Sequence, residues 1–404
     1  MKRYRASWLV PVSEPPIKDG WFAVDRGRIV ATGRPSANRS EPEIDLGEVA
    51  VLPGLVNAHT HLELSYLRDE VPPAPRFVAW VRNVMAARRQ RPDPNAPEIV
   101  DAVDRAIAEA VAAGTAVVGD ISNTLVTFDS LAQSPLAGVV FYELIRFNAP
   151  EPQALVDQAA AEVGRLVATE RVRASLAAHA PYSVAPLVFR AIREAVNRDP
   201  FAPCSVHLSE SAEEVEFIHS GGGPWRALLE EVGAWDPKWV PPGGSPVKFL
   251  DDCGFLDRRV LAVHGVQMTA DDLRRLADRG ATLVTCPRSN GHTGAGAPPI
   301  ADFYRSGVRV AIGTDSLASA PDLNVFSEVA TMRALAPGVP AAALLESATR
   351  HGAHALGFDA DYGTIEAGRV ARLALVDIPP GTVDVEEYLV GGIEPEQVRW
   401  LSHD

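Results

Sequence analysis

From residue 51 onward, short apolar runs alternate with amphipathic stretches of helical length. The eight runs are Val51–Asn57, Ala116–Ile121, Gly138–Leu144, Val172–Ala177, Cys204–His207, Val260–Val263, Ala281–Thr285 and Val308–Ile312. The helical patterns include Pro97–Ala113, Pro152–Ala168, Pro186–Asn197, Ala270–Gly280 and Val325–Leu335. Runs that do not alternate are typical of parallel strands covered on both faces. Eight strands alternating with helices predict an α/β fold, a closed (β/α)8 TIM barrel rather than an open doubly wound sheet.

The two ends of the chain show a different, β-like pattern. Turn residues separate short runs at Ser7–Pro11, Gly20–Val24 and Arg28–Ala31, and glycines divide the β-like tail Gly363–Asp377. We therefore predict that both termini pair into one small β-sandwich domain. Its predicted residues are 1–53 and 358–404, and the predicted barrel comprises residues 54–357.

The Pro- and Gly-rich segment Pro237–Pro246 predicts a long loop between the fifth and sixth barrel strands. A barrel loop of this length is more often functional than idle.

Composition limits the classes of molecule that the protein is expected to bind. The 404 residues carry a net charge of −14, which disfavours binding to nucleic acid and to anionic membranes. No apolar run approaches the ~20 residues that span a bilayer, and the N-terminal apolar stretch is too short for a secretory signal. The three cysteines form no CxxC pair, as is typical of reduced thiols in a cytoplasmic protein. We expect a small molecule as the partner, and the sequence leaves a homodimer open.

The first barrel strand ends in His59-Thr60-His61. Residues i and i+2 of a strand face the same side, so both imidazoles point toward the C-terminal mouth, where barrel active sites form. Imidazole suits zinc and iron. The short motif alone fits two surface histidines equally well.

Four further strands carry a histidine or an aspartate at the same end. These residues are His179, His207, His264 and Asp315. Five of the ten histidines thus fall at strand ends, which random placement does not explain. Three histidines and one carboxylate around an ion leave room for water, as a catalytic metal site requires. The candidate metal ligands are His59, His61, His207 and Asp315.

Glu210 lies three residues after His207, close enough to move a proton at the metal. A divalent metal lowers the pKa of its bound water toward ~7, and a carboxylate beside the metal is the usual general acid/base in zinc deamination. The alternative is an exposed acid at a helix N-terminus, a role that Glu213, Glu214 and Glu216 fit better.

Four ordered motifs resemble the amidohydrolase superfamily. They are Pro-Gly-Leu-Val-Asn-Ala-His-Thr-His at 53–61, His-Leu-Ser-Glu at 207–210, Cys-Pro-Arg-Ser-Asn at 286–290 and Gly-Thr-Asp-Ser at 313–316. The last three match the deaminase and chlorohydrolase branch, and the resemblance covers nearly the whole chain. It implies a barrel with a flanking β-sandwich built from both termini. It also implies one divalent ion, Zn2+ or Fe2+, on the four candidate ligands.

The resemblance also implies catalytic roles. Glu210 would be the proton shuttle and His264 would orient the attacking hydroxide. Asp315 would bind the metal and accept a proton, and His179 would contact the substrate. The chain has no lysine between Lys18 and Lys238. This supports the single-metal branch, because binuclear members use a carboxylated lysine on the fourth strand.

The segment His61-Leu62-Glu63-Leu64-Ser65, with Phe77 and Trp80 after it, resembles the 6-aminodeoxyfutalosine deaminases of menaquinone biosynthesis. The implied reaction releases ammonia from an aminated purine-type ring, in 6-aminodeoxyfutalosine or an adenosine-like nucleoside. Glu63 would accept hydrogen bonds from ribose hydroxyls. Phe77 or Trp80 would stack on the ring or pack in the core.

Arg288 would pair with a substrate carboxylate that aminodeoxyfutalosine has and adenosine lacks. Asn290 would join it in the same substrate-binding cluster.

Beside the preferred deaminase, the sequence leaves two other interpretations open. The same metal site fits a guanine, pterin or cytosine deaminase, or a cyclic amide or triazine hydrolase. A scaffold protein that has lost activity is a third possibility, but a scaffold needs neither Glu210 nor His264.

Overall fold

The N-terminal segment forms seven short strands. The computed structural model describes residues 1–35 and 42–402. The strands are β1 (Lys2–Arg5), β2 (Trp8–Leu9), β3 (Ile17–Lys18), β4 (Trp21–Asp25), β5 (Arg28–Gly33), β6 (Ile44–Asp45) and β7 (Val49–Pro53). β2, β4 and β5 lie within a few residues of the three predicted N-terminal runs, whereas β1, β3 and β6 were not predicted.

Eight strands then follow in chain order and form the barrel. They are β8 (Leu55–Thr60), β9 (Thr115–Ser122), β10 (Ala137–Leu144), β11 (Val172–Ala178), β12 (Cys204–Leu208), β13 (Val260–His264), β14 (Thr282–Thr285) and β15 (Arg309–Ile312). Neighbours pair in parallel within two groups, β8 to β11 and β12 to β15. The His207 amide donates to the His179 carbonyl at 2.8 Å, and the Thr314 amide donates to the His59 carbonyl at 3.0 Å. These bonds join the two groups into the predicted closed barrel.

The run Val51–Asn57, predicted as one strand, is split between two sheets. Its first part belongs to β7 and its second part to β8, with Gly54 between them. The Gly54 amide donates to the Arg372 carbonyl at 3.0 Å. A Cβ at Gly54 would lie 2.5 Å from the Ala116 Cβ, so only glycine allows the chain to cross here.

The C-terminal segment completes the small sheets. Its strands are β16 (Leu373–Asp377) and β17 (Val398–Trp400). One sheet has the order β17-β16-β7-β2-β3 and the other β5-β4-β1-β6. β16 pairs antiparallel with β7, so the two ends of the chain build one sheet together. The proposed boundaries, residues 1–53 with 358–404 and residues 54–357, stay a prediction.

Fifteen α-helices lie in the described residues. They are α1 (Phe77–Arg89), α2 (Pro97–Ala112), α3 (Thr127–Gln133), α4 (Pro152–Val163), α5 (Pro186–Val196), α6 (Ala212–Ser220), α7 (Gly223–Glu231), α8 (Pro246–Asp252), α9 (Ala270–Arg279), α10 (Pro287–Thr293), α11 (Ile300–Ser306), α12 (Val325–Leu335), α13 (Ala341–Ser347), α14 (Arg350–Ala355) and α15 (Val385–Leu389). Two 3-10 segments add Leu62–Leu67 and Pro395–Gln397. Several of these helices carry proline in the first turn, where no hydrogen bond is lost.

The predicted helix Pro152–Ala168 stops early, at Val163, because Gly164 follows. The predicted loop Pro237–Pro246 runs without regular structure until Pro246 begins α8. Its Trp239 ring stacks on Phe217 at 4.8 Å between centroids. A functional role of this loop stays a prediction. Across residues 1–35 and 42–402, no helix has the length and apolar character needed to cross a bilayer.

Candidate active site

Polar side chains from five barrel strands meet at the C-terminal end of the barrel. Every residue of β8, β12 and β13 is buried, so these strands hold their terminal side chains firmly. The site residues on or just after the strands are His59, His61, His179, His207, His264 and Asp315. This is the end predicted from the sequence.

The four predicted metal ligands come together. The distances from Asp315 Oδ1 are 3.4 Å to His61 Nε2 and 3.8 Å to His59 Nε2. The ring centroids of His59 and His207 are 4.9 Å apart. The ligand atoms of His59, His61 and Asp315 lie within 4.8 Å of one another, as do those of His59, His207 and His264.

The donor set fits a divalent ion. Within the described residues, both ring nitrogens of His59 and Nε2 of His207 are buried without a hydrogen-bond partner. Buried polar atoms are rarely left unpaired, and a bound cation would satisfy one nitrogen of a ring. Burial also lowers the pKa of His59, and it lowers the pKa of His61 to about 3. The imidazoles of His59 and His61 are therefore neutral, which is the form that binds metal. Burial would also lower the pKa of His207, but the Glu143 carboxylate raises that pKa overall.

Asp315 is held as a carboxylate. Burial alone would raise its pKa, but the imidazoles of His59, His61 and His264 lower that pKa well below its usual range. Its Oδ2 accepts hydrogen bonds from the hydroxyls of Ser289 and, at 3.3 Å, Ser319. The other carboxylate oxygen is left facing the histidines.

Glu210 is buried beside these residues, and its Oε2 lies 3.6 Å from His264 Nε2. Burial, together with the carboxylates of Asp315 and Glu214, raises the pKa of Glu210 well above its usual value. The Glu214 carboxylate accepts hydrogen bonds from the backbone amides of Ser209 at 2.9 Å and Glu210 at 2.8 Å. Glu214 therefore fixes the turn that presents Glu210, a role missed in the sequence.

His264 is oriented by Asn290. The Asn290 side-chain amide donates to His264 Nδ1 at 3.0 Å, and His264 Nε2 lies 3.0 Å from His207 Nδ1. Asn290 is fully buried and does not line the cavity described below. The prediction that Asn290 contacts the substrate is therefore corrected. Asn290 contacts His264 instead.

Three site residues adopt left-handed backbone conformations. The φ angles are 52° at Ser209, 80° at His264 and 60° at Asp315. Such angles are uncommon outside glycine and persist where the surrounding structure enforces them. All three occur where a barrel strand ends, so the backbone is bent to aim the side chains.

A cavity of about 680 Å³ opens from the polar cluster to the surface. Its wall includes Phe77, Trp80 and His179, as predicted for substrate contacts, and Tyr182 and Trp225 as well. The Tyr182 and Trp225 rings stack at 3.6 Å between centroids. His179 Nδ1 lies 2.5 Å from the Ser183 hydroxyl. The wall is thus mostly aromatic and apolar, with polar groups at its inner end.

Glu63 does not line this cavity, contrary to expectation. Its carboxylate accepts hydrogen bonds from the hydroxyls of Ser122 at 2.7 Å and Thr124 at 2.9 Å. It also pairs with Arg88 at 3.1 Å. These partners occupy the carboxylate, so the expected contact with ribose hydroxyls is replaced by a contact with Arg88, which does line the cavity.

Arg288 also lies off the cavity wall. Its guanidinium pairs with Glu328 at 2.7 Å and with both oxygens of Asp322 at 2.8 and 2.9 Å. The expected contact with a substrate carboxylate is therefore corrected, because two acids already fill the donor positions. Arg288 instead anchors the helix that carries Ser289 and Asn290.

Glu143 is an acidic cavity residue that was not predicted from the sequence. Glu143 is buried near the end of β10, 3.2 Å from His207 Nε2, and accepts a hydrogen bond from Asn123 at 2.8 Å. Burial would raise its pKa, but the histidines His179 and His207 lower it overall. A single acid inside the apolar run Gly138–Leu144 was the available signal.

Comparisons with known proteins find relatives over most of the chain. A profile described as the amidohydrolase family matches residues 50–398. A 5-methylthioadenosine/S-adenosylhomocysteine deaminase of Moorella thermoacetica is 29% identical over 407 residues, covering 95% of this chain and 88% of the relative. An aminodeoxyfutalosine deaminase of Deinococcus radiodurans is 31% identical over 346 residues, covering 81% of this chain and 79% of the relative.

Solved structures share the fold. An adenosine deaminase from Xanthomonas campestris with bound zinc superposes with a TM-score of 0.80 at 28% identity, covering 98% of this chain and 90% of that one. An aminofutalosine deaminase of Helicobacter pylori in complex with methylthio-coformycin has a TM-score of 0.84 at 24% identity, covering 96% of this chain and 95% of that one.

The matches confirm the predicted fold class and the predicted class of enzyme, a hydrolase acting on carbon–nitrogen bonds. The family profile spans most of the chain, and a relative more than 30% identical covers four fifths of it. The chain belongs to the amidohydrolase family.

Proposed function

We propose that the protein is a hydrolytic deaminase that releases ammonia from an adenosine-like ring. The observation that carries the proposal is the convergence of several histidines with Asp315 and Glu210 at the inner end of one large cavity. The names of the two curated relatives support an adenosine-like substrate.

His59, His61, His207 and Asp315 would hold one divalent ion, zinc or iron(II). When bound, such an ion lowers the pKa of coordinated water toward ~7 and so supplies a nucleophile at neutral pH. The zinc in the Xanthomonas campestris structure supports zinc as the first choice.

The proton steps belong to the protein's own side chains. Glu210 takes a proton from the attacking water and delivers it to the ring nitrogen beside the amino-bearing carbon. Its raised pKa makes Glu210 a stronger base toward that water than an ordinary carboxylate is. His264 orients the water, and Asp315 accepts the second water proton. Return of this proton to the amino group lets ammonia leave, and the ring becomes a lactam.

The cavity wall would select the ring. His179 contacts it, while Phe77 and Trp80 stack on it or cover it. We keep 6-aminodeoxyfutalosine as the preferred substrate, followed by adenosine-type nucleosides. The first would place the enzyme in menaquinone biosynthesis. The cytoplasmic location and a homodimer stay predictions.

A screen for ammonia release tests the proposal. The purified protein is offered 6-aminodeoxyfutalosine, adenosine, guanine, a pterin and cytosine, with metal analysis on the same sample. Turnover of the first two, lost on chelation and restored by added zinc or iron, is expected. Fully metallated protein that turns over only guanine, pterin or cytosine contradicts the adenosine-like assignment.

A further inference from the structure

No step of the proposed reaction uses Asn57 or Thr314, although both belong to the motifs that resemble the family. Asn57 lies in the motif at 53–61, Thr314 lies in the motif at 313–316, and neither lines the cavity. Both residues are fully buried. Buried polar side chains need hydrogen-bond partners, and these two residues are partners of each other.

Asn57 and Thr314 form two hydrogen bonds. The Asn57 side-chain amide donates to the Thr314 hydroxyl at 2.7 Å, and the Thr314 backbone amide donates to the Asn57 side-chain carbonyl at 3.1 Å. Asn57 lies on β8, and Thr314 follows the end of β15 by two residues. The pair therefore joins the first and last strands of the barrel, directly beside His59 and Asp315.

Backbone pairing at this junction is sparse. Among residues 1–35 and 42–402, β8 and β15 share no ladder, and a single bridge links Thr60 to Asp315. The amides of Thr314 and Asp315 both donate to the His59 carbonyl, at 3.0 and 3.1 Å. A Cβ at Gly313 would lie 2.7 Å from that carbonyl oxygen, so glycine allows this close approach. Side-chain hydrogen bonds thus take the place of a regular ladder here.

The pair also reaches the backbone of Asp315. Because the Thr314 hydroxyl accepts its hydrogen bond from Asn57, its own hydrogen can donate to the Asp315 carbonyl at 3.3 Å. The Thr60 hydroxyl donates to the same carbonyl at 2.9 Å. Asp315 has a φ of 60°, which a residue other than glycine keeps only where its surroundings enforce it. These hydrogen bonds enforce it.

We infer that Asn57 and Thr314 are positioning residues that hold Asp315 in its left-handed conformation and so set its distance from His59. The inference rests on the metal site of the proposed function, in which Asp315 is a ligand and a proton acceptor. Asp315 Oδ1 lies 3.8 Å from His59 Nε2. Without the pair, the Asp315 backbone would relax and its carboxylate would turn away from the histidines.

Thr314→Val tests the inference, because it keeps the shape of the side chain and removes the hydroxyl. Zinc affinity of the apo-protein is measured by competition with a chelator. The dissociation constant should rise about 10–100-fold, the usual range when a group that orients a metal ligand is lost. Thr314→Ser keeps the hydroxyl and should stay within about threefold of wild type. Asn57→Leu breaks the pair from the other side and should weaken zinc binding by a similar factor.

Thr349→Val is the matched control. Thr349 is equally buried, lies off the cavity and donates its hydroxyl to the Leu345 carbonyl at 2.6 Å. Urea unfolding of the apo-proteins compares the losses of stability. Thr349→Val should lose stability but keep its zinc affinity. Equal weakening of zinc binding in both valine variants, or wild-type affinity in Thr314→Val, would overturn the inference.

Kinetics at saturating zinc provide a second measurement. Thr314→Val should lower kcat about tenfold or more, because Asp315 accepts a proton, and KM should stay within about threefold, because the cavity wall is unchanged. A wild-type kcat would overturn the inference.

The zinc measurements separate this inference from the proposed function. If Thr314→Val weakens zinc binding but the wild type deaminates neither 6-aminodeoxyfutalosine nor adenosine, the inference stands and the proposed function fails. If the wild type deaminates them and Thr314→Val binds zinc as tightly as the wild type, the proposed function stands and the inference fails.

Discussion

The two ends of the cavity are built differently. At the inner end, most side chains on strand ends are buried, and two of them are held by a second polar group: Asn290 donates to His264, and Ser289 donates to Asp315. At the mouth, helices and a segment after β10 present mainly apolar groups, and Arg146 has no partner among the described residues. Residues at the ends of the barrel strands thus carry the reaction, whereas residues on the attached helices and segments determine which substrate binds.

Breaking the inner end should have the largest effect. His59→Ala or Asp315→Ala should lose the metal and, with it, activity by about 10⁴-fold or more, because the remaining donors no longer complete the site. Metal analysis and ammonia release on the same sample check this. His219→Ala is the control, since His219 lies exposed on α6 away from the cavity. Full metal content in His59→Ala would remove that residue from the ligand set.

Glu210→Gln should keep the metal but lower kcat by at least about 10²-fold, the usual range for a positioned proton shuttle. The isosteric amide cannot carry the proton. Steady-state kinetics with metal analysis measures both. Glu216→Gln, an exposed change on α6, the helix that follows Glu210, should leave kcat unchanged. Loss of metal in Glu210→Gln would make Glu210 a ligand and overturn its assigned role.

Arg288→Met should act on stability, not on substrate choice. It leaves the fully buried Glu328 carboxylate without its partner, which costs about 3 kcal/mol in the free energy of unfolding. Urea unfolding measures this loss. The ratio of kcat/KM for 6-aminodeoxyfutalosine to kcat/KM for adenosine should not change. A selective loss on the carboxylated substrate would restore the first interpretation of Arg288.

The loss in Arg288→Met should depend on pH. Burial raises the pKa of Glu328 from 4.5 to about 7 even with Arg288 present. When folding raises the pKa of a carboxyl, that group lowers the free energy of unfolding as pH rises. The loss begins near the pKa of the unfolded state and continues through the pKa of the folded state. Without Arg288 this folded pKa rises further. The variant's deficit should therefore be small near pH 5 and largest near pH 8, and the opposite trend would contradict this account.

The smallest effect is expected at the aromatic wall. Trp225→Leu removes the ring stacked on Tyr182 and should raise KM about three- to tenfold, with kcat within about threefold. The chemistry at the inner end does not use this side chain. Trp21→Leu in the small β domain is the control and should leave KM unchanged. If Trp225→Leu lowers kcat as much as Glu210→Gln does, the chemistry is not confined to the inner end of the cavity.

The inner end was predictable because its signals are local. His59 and His61 share a strand face, and each further site residue follows its own apolar run. The errors came from contacts distant in sequence. Glu328 lies 40 residues from Arg288, and Ser122 lies 59 residues from Glu63.

The mouth was less predictable for a related reason. Trp225 and Arg146 resemble ordinary surface or core residues in the sequence, and only the packing of α7 and the segment after β10 places them on one wall. Likewise, no apolar pattern marks the break at Gly54, since the residues on both sides are buried.

The position of β7, the strand just before Gly54, has a consequence for synthesis on the ribosome. β7 is an inner strand of its sheet, bordered by β2 on one side and by β16, some 320 residues later, on the other. At roughly 5–20 residues per second, β7 waits about 15–65 s with an open edge before its partner emerges. An open, apolar edge is a template for unwanted pairing. β7, which precedes the histidine-bearing β8, is thus a segment of the nascent chain that a chaperone would protect.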